Sequence, residues 1–261
     1  MERGAALVTG AARRIGRAMA LDLAAQGHDV VIHFHGSEAE AAGVADEARA
    51  LGVRSAAIRA DLCREEECAT LIARSSRALG RPLSILVNNA SVFEHDDIRT
   101  MTRESWDRHL ESNLRAPVRL SQDFSAQAPG AGRDAGGEPI ARACIVNMID
   151  QRVRKLTPEF MSYTIAKMGL WAFTRTAAQA LAPRVRVNAI GPGPTLRGAR
   201  QSETHFRDQR QATILGRGTS PEEICQALRF ILASPGLTGQ LLCIDGGQHL
   251  AWATPDVLGV E

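Results

Sequence analysis

The chain holds one tyrosine, Tyr163, and two lysines, and the second of these, Lys167, follows the tyrosine by four residues. Four residues is about one helical turn, so both side chains leave the same face of a helix. An ammonium beside a phenol favours the ionised phenol and draws its ordinary pKa of about 10 toward neutrality. A phenol tuned in this way passes a proton at physiological pH. That is what a hydride-transfer enzyme needs at the atom opposite the hydride.

The elements that position this pair are read from the order of apolar runs. Strands are expected at 5–9, 29–33, 54–59, 84–87, 143–147, 184–189 and 241–244. Helical patterns lie at 15–26, 38–51, 64–79, 103–127, 159–181 and 221–232. Short apolar strands interleaved with helices imply βαβ units, hence an α/β fold with a doubly wound parallel sheet of about seven strands and helices on both faces. Right-handed crossovers align the strand ends, and ligands of such sheets sit at the carboxyl edge. Two segments break the pattern. The glycine- and proline-rich stretch 129–139 reads as a mobile surface loop, and 191–218 reads as a substrate lid, because it follows a strand end at the ligand edge.

Bulk properties bound the rest. A chain of 261 residues with 44% apolar content supports one large domain, 1–261, with a full core. A net charge of +2 gives no strong pull toward nucleic acid or an acidic membrane. Cys63, Cys68, Cys144, Cys225 and Cys243 form no CxxC pair and no metal-ligand spacing. They read as reduced thiols of a cytoplasmic protein. No signal peptide, membrane span or metal site is expected.

The first strand leads into Thr9-Gly10-Ala11-Ala12-Arg13-Arg14-Ile15-Gly16, which opens the first helix. Gly10 permits a tight turn and Gly16 a close helix approach. The free N–H groups and positive dipole end of that helix suit a pyrophosphate. An NAD site carries an acid near the end of the second strand. Here the chain reads His33-Phe34-His35-Gly36-Ser37, with no acid. Arg13 reaches the same corner, and a cation with histidine and serine donors suits a 2′-phosphate, hence NADP(H).

Further pieces complete a set: Asp61 with Leu62 in ADL, NNA at 88–90, Asn113, YxxxK at 163–167 and VNAIGPG at 187–193. In order and spacing the set resembles the short-chain dehydrogenase/reductase family over essentially the whole chain. The resemblance implies a single NADP-binding Rossmann-type domain. It makes Tyr163 the acid and Lys167 both its tuner and a ribose ligand. Asn113 would help organise a proton-relay water with the lysine. Asn88 and Ala90 would border the cofactor ribose, Asp61 and Leu62 its adenine, and Pro192 and Gly193 would also contact the cofactor. Relatives are often homotetramers joined through the long fourth and fifth helices and the C-terminal strand region, and the same is expected here.

Two departures from the common pattern narrow the resemblance. Arg14 replaces the usual middle glycine of the turn, and Asp150 replaces the usual serine, thirteen residues before Tyr163. Both resemble the pteridine reductase branch, with its TGxxxRxG turn and NMxD segment. The HFHxS stretch is similar to that branch's HYHRS, with Gly36 in place of the arginine. Phe93, two residues after Ser91 in NASVF, falls where the branch sandwiches a pterin against the nicotinamide.

The aspartate changes the chemistry. A serine donates a hydrogen bond to a carbonyl oxygen, whereas an ionised carboxylate has no proton to give. Asp150 suits a ring nitrogen that must be protonated, and its charge opposes Lys167 in setting the phenol, so the group titrates as a coupled unit. Arg14, Ser91, Phe93, Asp150 and Tyr163 form the expected substrate set. The leading expectation is an NADPH-dependent reductase of a pteridine-like C=N substrate. The alternatives are a family reductase acting on another carbonyl or enoyl compound, and a non-catalytic NADP-binding sensor.

Overall fold

A computed structural model describes residues 3–198 and 201–252. Its strands are β1 (Ala5–Val8), β2 (Asp29–Phe34), β3 (Ser55–Arg59), β4 (Ile85–Asn88), β5 (Gly132–Arg133), β6 (Pro139–Ile140), β7 (Ala143–Met148), β8 (Val185–Pro192) and β9 (Leu241–Ile244). Its helices are α1 (Arg14–Ala25), α2 (Glu38–Ala50), α3 (Glu65–Leu79), α4 (Arg103–Leu110), α5 (Ala116–Gln127), α6 (Met161–Leu181), α7 (Glu203–Gln211) and α8 (Pro221–Ala233).

Seven strands form one sheet in the order β3-β2-β1-β4-β7-β8-β9, every pair parallel. Successive strand side chains point to opposite faces, and both faces are apolar, so each strand feeds two cores. Ala6 and Val8 of β1 face α1, α2 and α8, packing with Met19, Leu23, Val44 and Leu228. Ala5 and Leu7 face α3, α5 and α6, packing with Leu71, Leu79, Leu120 and Phe124. This is the doubly wound α/β arrangement the element order predicts. Strand order reverses between β1 and β4, which opens a crevice at their carboxyl ends.

Three segments differ from the sequence expectation. The helix expected over 103–127 is one path with a fault: α4 ends at Leu110, a π-helical turn runs Glu111–Arg115, and α5 begins at Ala116. Pro117 explains the fault, because it has no N–H to return to the carbonyl of Asn113 and its ring crowds that carbonyl. The stretch expected as a mobile loop at 129–139 carries a short antiparallel ladder, β5 with β6, closed by amides of Gly136 and Glu138 donating to Asp134 Oδ1 at 2.8 and 3.0 Å. Within the expected lid, α7 is a helix that Ser202 caps by accepting from the His205 amide. Positions 199, 200 and 253–261 lie outside the described residues, including most of the C-terminal stretch.

The turn between β1 and α1 sets how close helix and strand come. Gly10 takes φ of +61°, the left-handed region. A Cβ on Gly16 would lie 2.3 Å from the Gly10 carbonyl oxygen and 2.5 Å from Asn89 Nδ2. Gly16→Ala is therefore expected to cost at least about 1–3 kcal/mol in urea unfolding, with weaker NADPH binding. An unfolding midpoint equal to wild type would show that the turn opens without cost.

Candidate active site

The carboxyl edge of the sheet converges on a cleft of about 570 Å³. The turn after β1, the end of β2, Asp61 after β3, the segment after β4, Asp150 after β7 and the end of β8 all reach it. Of the predicted residues, Gly10, Arg13, Arg14, Ile15, Gly16, His33, His35, Asp61, Leu62, Ala90, Ser91, Phe93, Asp150, Tyr163, Lys167, Pro192 and Gly193 line it.

At its inner end, the Tyr163 hydroxyl donates to Asp150 Oδ2 at 3.0 Å. Asp150 Oδ1 accepts from the Arg152 amide at 2.8 Å, so the same carboxylate caps the 3₁₀ turn Gln151–Val153. The cap and the contact with the phenol are made by different oxygens, and both can hold together. Burial raises the Asp150 pKa against the Arg152 amide and charge, the bond from Tyr163 and the Lys167 charge. The Tyr163 pKa lies well above its ordinary 10, first through burial and then through the charge and hydrogen bond of Asp150, with Arg152 and Ser91 opposing.

That corrects the expectation that the lysine draws the phenol toward neutrality. Lys167 is itself pushed down to about 8 by burial, against the pull of Asp150. Its Nζ donates to the Met148 carbonyl at 2.8 Å and stands 5.6 Å from the Tyr163 ring centroid. The ammonium is on the expected face of α6, but desolvation and the carboxylate outweigh it.

Asn113 sits in the π turn with both ends of its amide bonded to Val92. Oδ1 accepts from the Val92 amide at 2.9 Å and Nδ2 donates to the Val92 carbonyl at 2.8 Å. It pins the segment that carries Ser91 and Phe93. Phe93 is half exposed, stacks on Phe160 with centroids 4.3 Å apart, and meets Tyr163 edge-on at 4.7 Å. Phe160 was not foreseen: it has φ of +56° just before α6, and no sequence signal marks such a conformation.

The glycine turn is braced from three sides. Asn89 Nδ2 donates to the Thr9 carbonyl at 2.8 Å, and Thr9 Oγ1 accepts from the amides of Asn89 and Ala90, each at 2.9 Å. His33 Nδ1 accepts from the Gly10 amide at 3.0 Å, which leaves Nε2–H to donate to the Ala60 carbonyl at 3.1 Å. Burial pushes the His33 pKa down to about 4. His33 is therefore a neutral brace with neither ring nitrogen left for a 2′-phosphate, which corrects the expectation that it is a donor to that group.

Phe34 is packed into the core, and Asn88 is buried, donating to Asn147 Oδ1 at 2.8 Å. Neither lines the cleft, and Ser37, just before α2, does not line it either. His35 is exposed, 3.8 Å from Asp61. Arg13 pairs with Glu40 of α2. Cys63, Asn89, Val92, Ser112, Met148 and Ile149 line the cleft without having been predicted. Apart from Asn89 in NNA, they are ordinary residues next to marked ones.

Arg14 has φ of +55°, a conformation costing a side-chain-bearing residue about 1–2 kcal/mol. Glycine at this position would avoid the cost. The guanidinium crosses the cleft mouth and donates to the carbonyls of Leu196 and Arg197 at 3.0 and 2.8 Å. It thus ties the phosphate-side turn to the segment after β8. No helix among the described residues is long and apolar enough to cross a membrane.

Comparison with known proteins agrees with this geometry. A family profile described as Enoyl-(Acyl carrier protein) reductase matches residues 10–249. A 3-oxoacyl-[acyl-carrier-protein] reductase of Staphylococcus epidermidis is 30% identical over 250 residues, covering 94% of this chain and 98% of the relative. The crystal structure of FolM alternative dihydrofolate reductase 1 from Brucella canis, complexed with NADP, has a TM-score of 0.89 and 42% identity, covering 97% of this chain and 96% of that one. A short-chain dehydrogenase from Burkholderia cenocepacia in complex with NADP has a TM-score of 0.82 and 31% identity, covering 93% and 96%. With the parallel sheet, the glycine turn and the tyrosine–lysine pair in one cleft, the chain belongs to the short-chain dehydrogenase/reductase family and is an oxidoreductase.

Proposed function

We propose that the protein is an NADPH-dependent reductase of a pteridine-like C=N substrate, and the observation that carries this is the 3.0 Å contact between Tyr163 Oη and Asp150 Oδ2. The cofactor fits the residues present. The glycine turn is tight, the first turn of α1 has no acidic residue, and Arg13 and Arg14 stand at its start. The end of β2 offers no carboxylate to ribose hydroxyls, and the NADP-bound neighbours have the same fold. When bound, NADPH supplies the hydride.

This chain's residues handle the proton. If the pair started as carboxylate and phenol, giving up a proton would leave two buried negative charges. If both groups start protonated, giving one up ends as carboxylate and phenol, the arrangement seen here. Burial raises the Asp150 pKa, the direction that eases its protonation. The pair then acts as one acid toward a ring nitrogen, with Lys167 offsetting the charge left behind. A ketone oxygen gains less, because it is far less basic than a ring nitrogen and draws the proton from the pair less readily. Ser91 and the exposed face of Phe93 complete the substrate side, with the 191–218 segment as a lid over it. A homotetramer suits the exposed Ile165 and Met168 on α6 and Phe230 on α8.

The substrate test is NADPH oxidation with dihydrobiopterin and dihydrofolate beside a panel of ketones and 3-oxoacyl thioesters. Turnover on the pterins supports the reading; turnover confined to the carbonyl panel selects carbonyl reduction instead. Tyr163→Phe is expected to lose about 10²- to 10⁴-fold in kcat with NADPH affinity intact, and unchanged kcat would remove the phenol from the chemistry. Asp150→Ser is expected to lower pterin turnover and raise ketone turnover. Because Lys167 titrates near 8, kcat/KM for NADPH should fall as pH rises through that value. The limb should move to higher pH in Lys167→Arg, since a guanidinium stays charged; a profile identical to wild type would assign the limb elsewhere.

A further inference from the structure

Behind the cleft lies a second cluster of chemistry-bearing side chains, none of which lines it: Asp96, His109 and Ser162, exposed to 1%, 0% and 0%. Asp96 Oδ1 accepts from the Ser162 amide at 3.1 Å, and its Oδ2 accepts from the Ser162 hydroxyl. The Asp96 carbonyl accepts from the Met161 amide at 3.3 Å. Ser162 Oγ is 2.6 Å from His109 Nδ1, and His109 Nε2 accepts from the Glu94 amide at 3.1 Å.

The hydrogen-bond directions follow from one fixed donor. The Glu94 amide can only donate, so Nε2 carries no proton. A ring whose Nε2 accepts is neutral, so its one proton is on Nδ1 and is donated to Ser162, and burial lowers the His109 pKa in the same sense. Ser162 in turn donates to Asp96. This runs opposite to the direction a nucleophilic serine would need, since the ring cannot take the serine's proton. The cluster is also closed to solvent. A catalytic triad is excluded.

The chain of bonds joins two parts that matter elsewhere. One end holds the Glu94 amide, next to Phe93. The other holds the first turn of α6, where Ser162 precedes Tyr163. We propose that Asp96, Ser162 and His109 are positioning residues that fix the Tyr163 hydroxyl against Asp150 and hold the Phe93 segment at its distance from α6. The proposal rests on Tyr163 being the proton-bearing group. It adds three residues that touch neither substrate nor cofactor.

Because Tyr163 is the chain's only tyrosine, its state is read without substrate. A ¹³Cζ-tyrosine label gives one resonance, which in wild type should titrate well above the ordinary value of about 10. In Asp96→Asn the new amide faces the serine hydroxyl and reverses it. His109 must then accept at Nδ1, which puts a proton on Nε2 against the Glu94 amide. Asp96→Asn and Ser162→Ala are expected to broaden or shift the resonance and lower its midpoint toward about 10. Turnover should fall about a hundredfold while the NADPH dissociation constant is unchanged. Ser162→Thr, which keeps the hydroxyl, should return the wild-type resonance.

A wild-type resonance and midpoint in Ser162→Ala and in folded Asp96→Asn would overturn the proposal. So would Ser162→Thr behaving like Ser162→Ala, or NADPH affinity falling in step with turnover. Absence of pterin turnover in the wild type would strike the substrate reading alone, since the resonance needs no substrate.

Discussion

Two acidic groups, a carboxyl and a phenol, are buried at hydrogen-bond distance in one wall of the cleft, and the site tolerates only one negative charge between them. Removing a carboxylate from water is costly, and placing a second anion beside it costs more. The raised Tyr163 pKa expresses that limit, and so does the 3.0 Å hydrogen bond between the two oxygens. The Arg152 amide and charge and the Lys167 ammonium make the one permitted charge bearable. The surrounding sheet ends, the 3₁₀ turn and the first turn of α6 keep the two oxygens together.

The phosphate side of the cleft is built on the opposite principle, an excess of donors. The turn after β1 is held by Asn89, Thr9 and His33, so its shape does not wait for a ligand. Arg14 accepts a strained backbone, and its guanidinium instead reaches the segment after β8. A glycine there would relieve the strain and lose the tie. The neutral His33 shows why a polar residue near a phosphate is not automatically a ligand: its hydrogen-bonding capacity is spent on the fold.

The same scaffold supports several reductions, and the neighbours of this chain include both a dihydrofolate reductase and 3-oxoacyl reductases. A shared fold does not choose among them; the groups at the reacting atom do. A hydroxyl opposite the phenol donates to an oxygen. This chain places the Asp150 carboxyl there, 3.0 Å from the phenol oxygen, where the ionised form accepts a hydrogen bond and cannot donate one.

Parallel strands buried on both faces must be apolar runs, and such runs separated by helical periods make the layered fold legible without coordinates. The pattern of residues also marked Gly10, Asp150, Tyr163 and Lys167 for the carboxyl edge, whereas Phe34, Ser37 and Asn88, marked with them, do not line the cleft. Quantities set by several elements at once emerge only when the chain is packed. The direction of the Tyr163 pKa depends on burial and on how closely the end of β7 brings Asp150 to it. The role of His33 depends on Gly10 and Ala60, and the reach of Arg14 on Leu196 and Arg197. The joining of Asp96, His109 and Ser162 depends on α4 and α6 closing around one loop. Desolvation and hydrogen-bond saturation belong to the packed state, and no local pattern of residues encodes them.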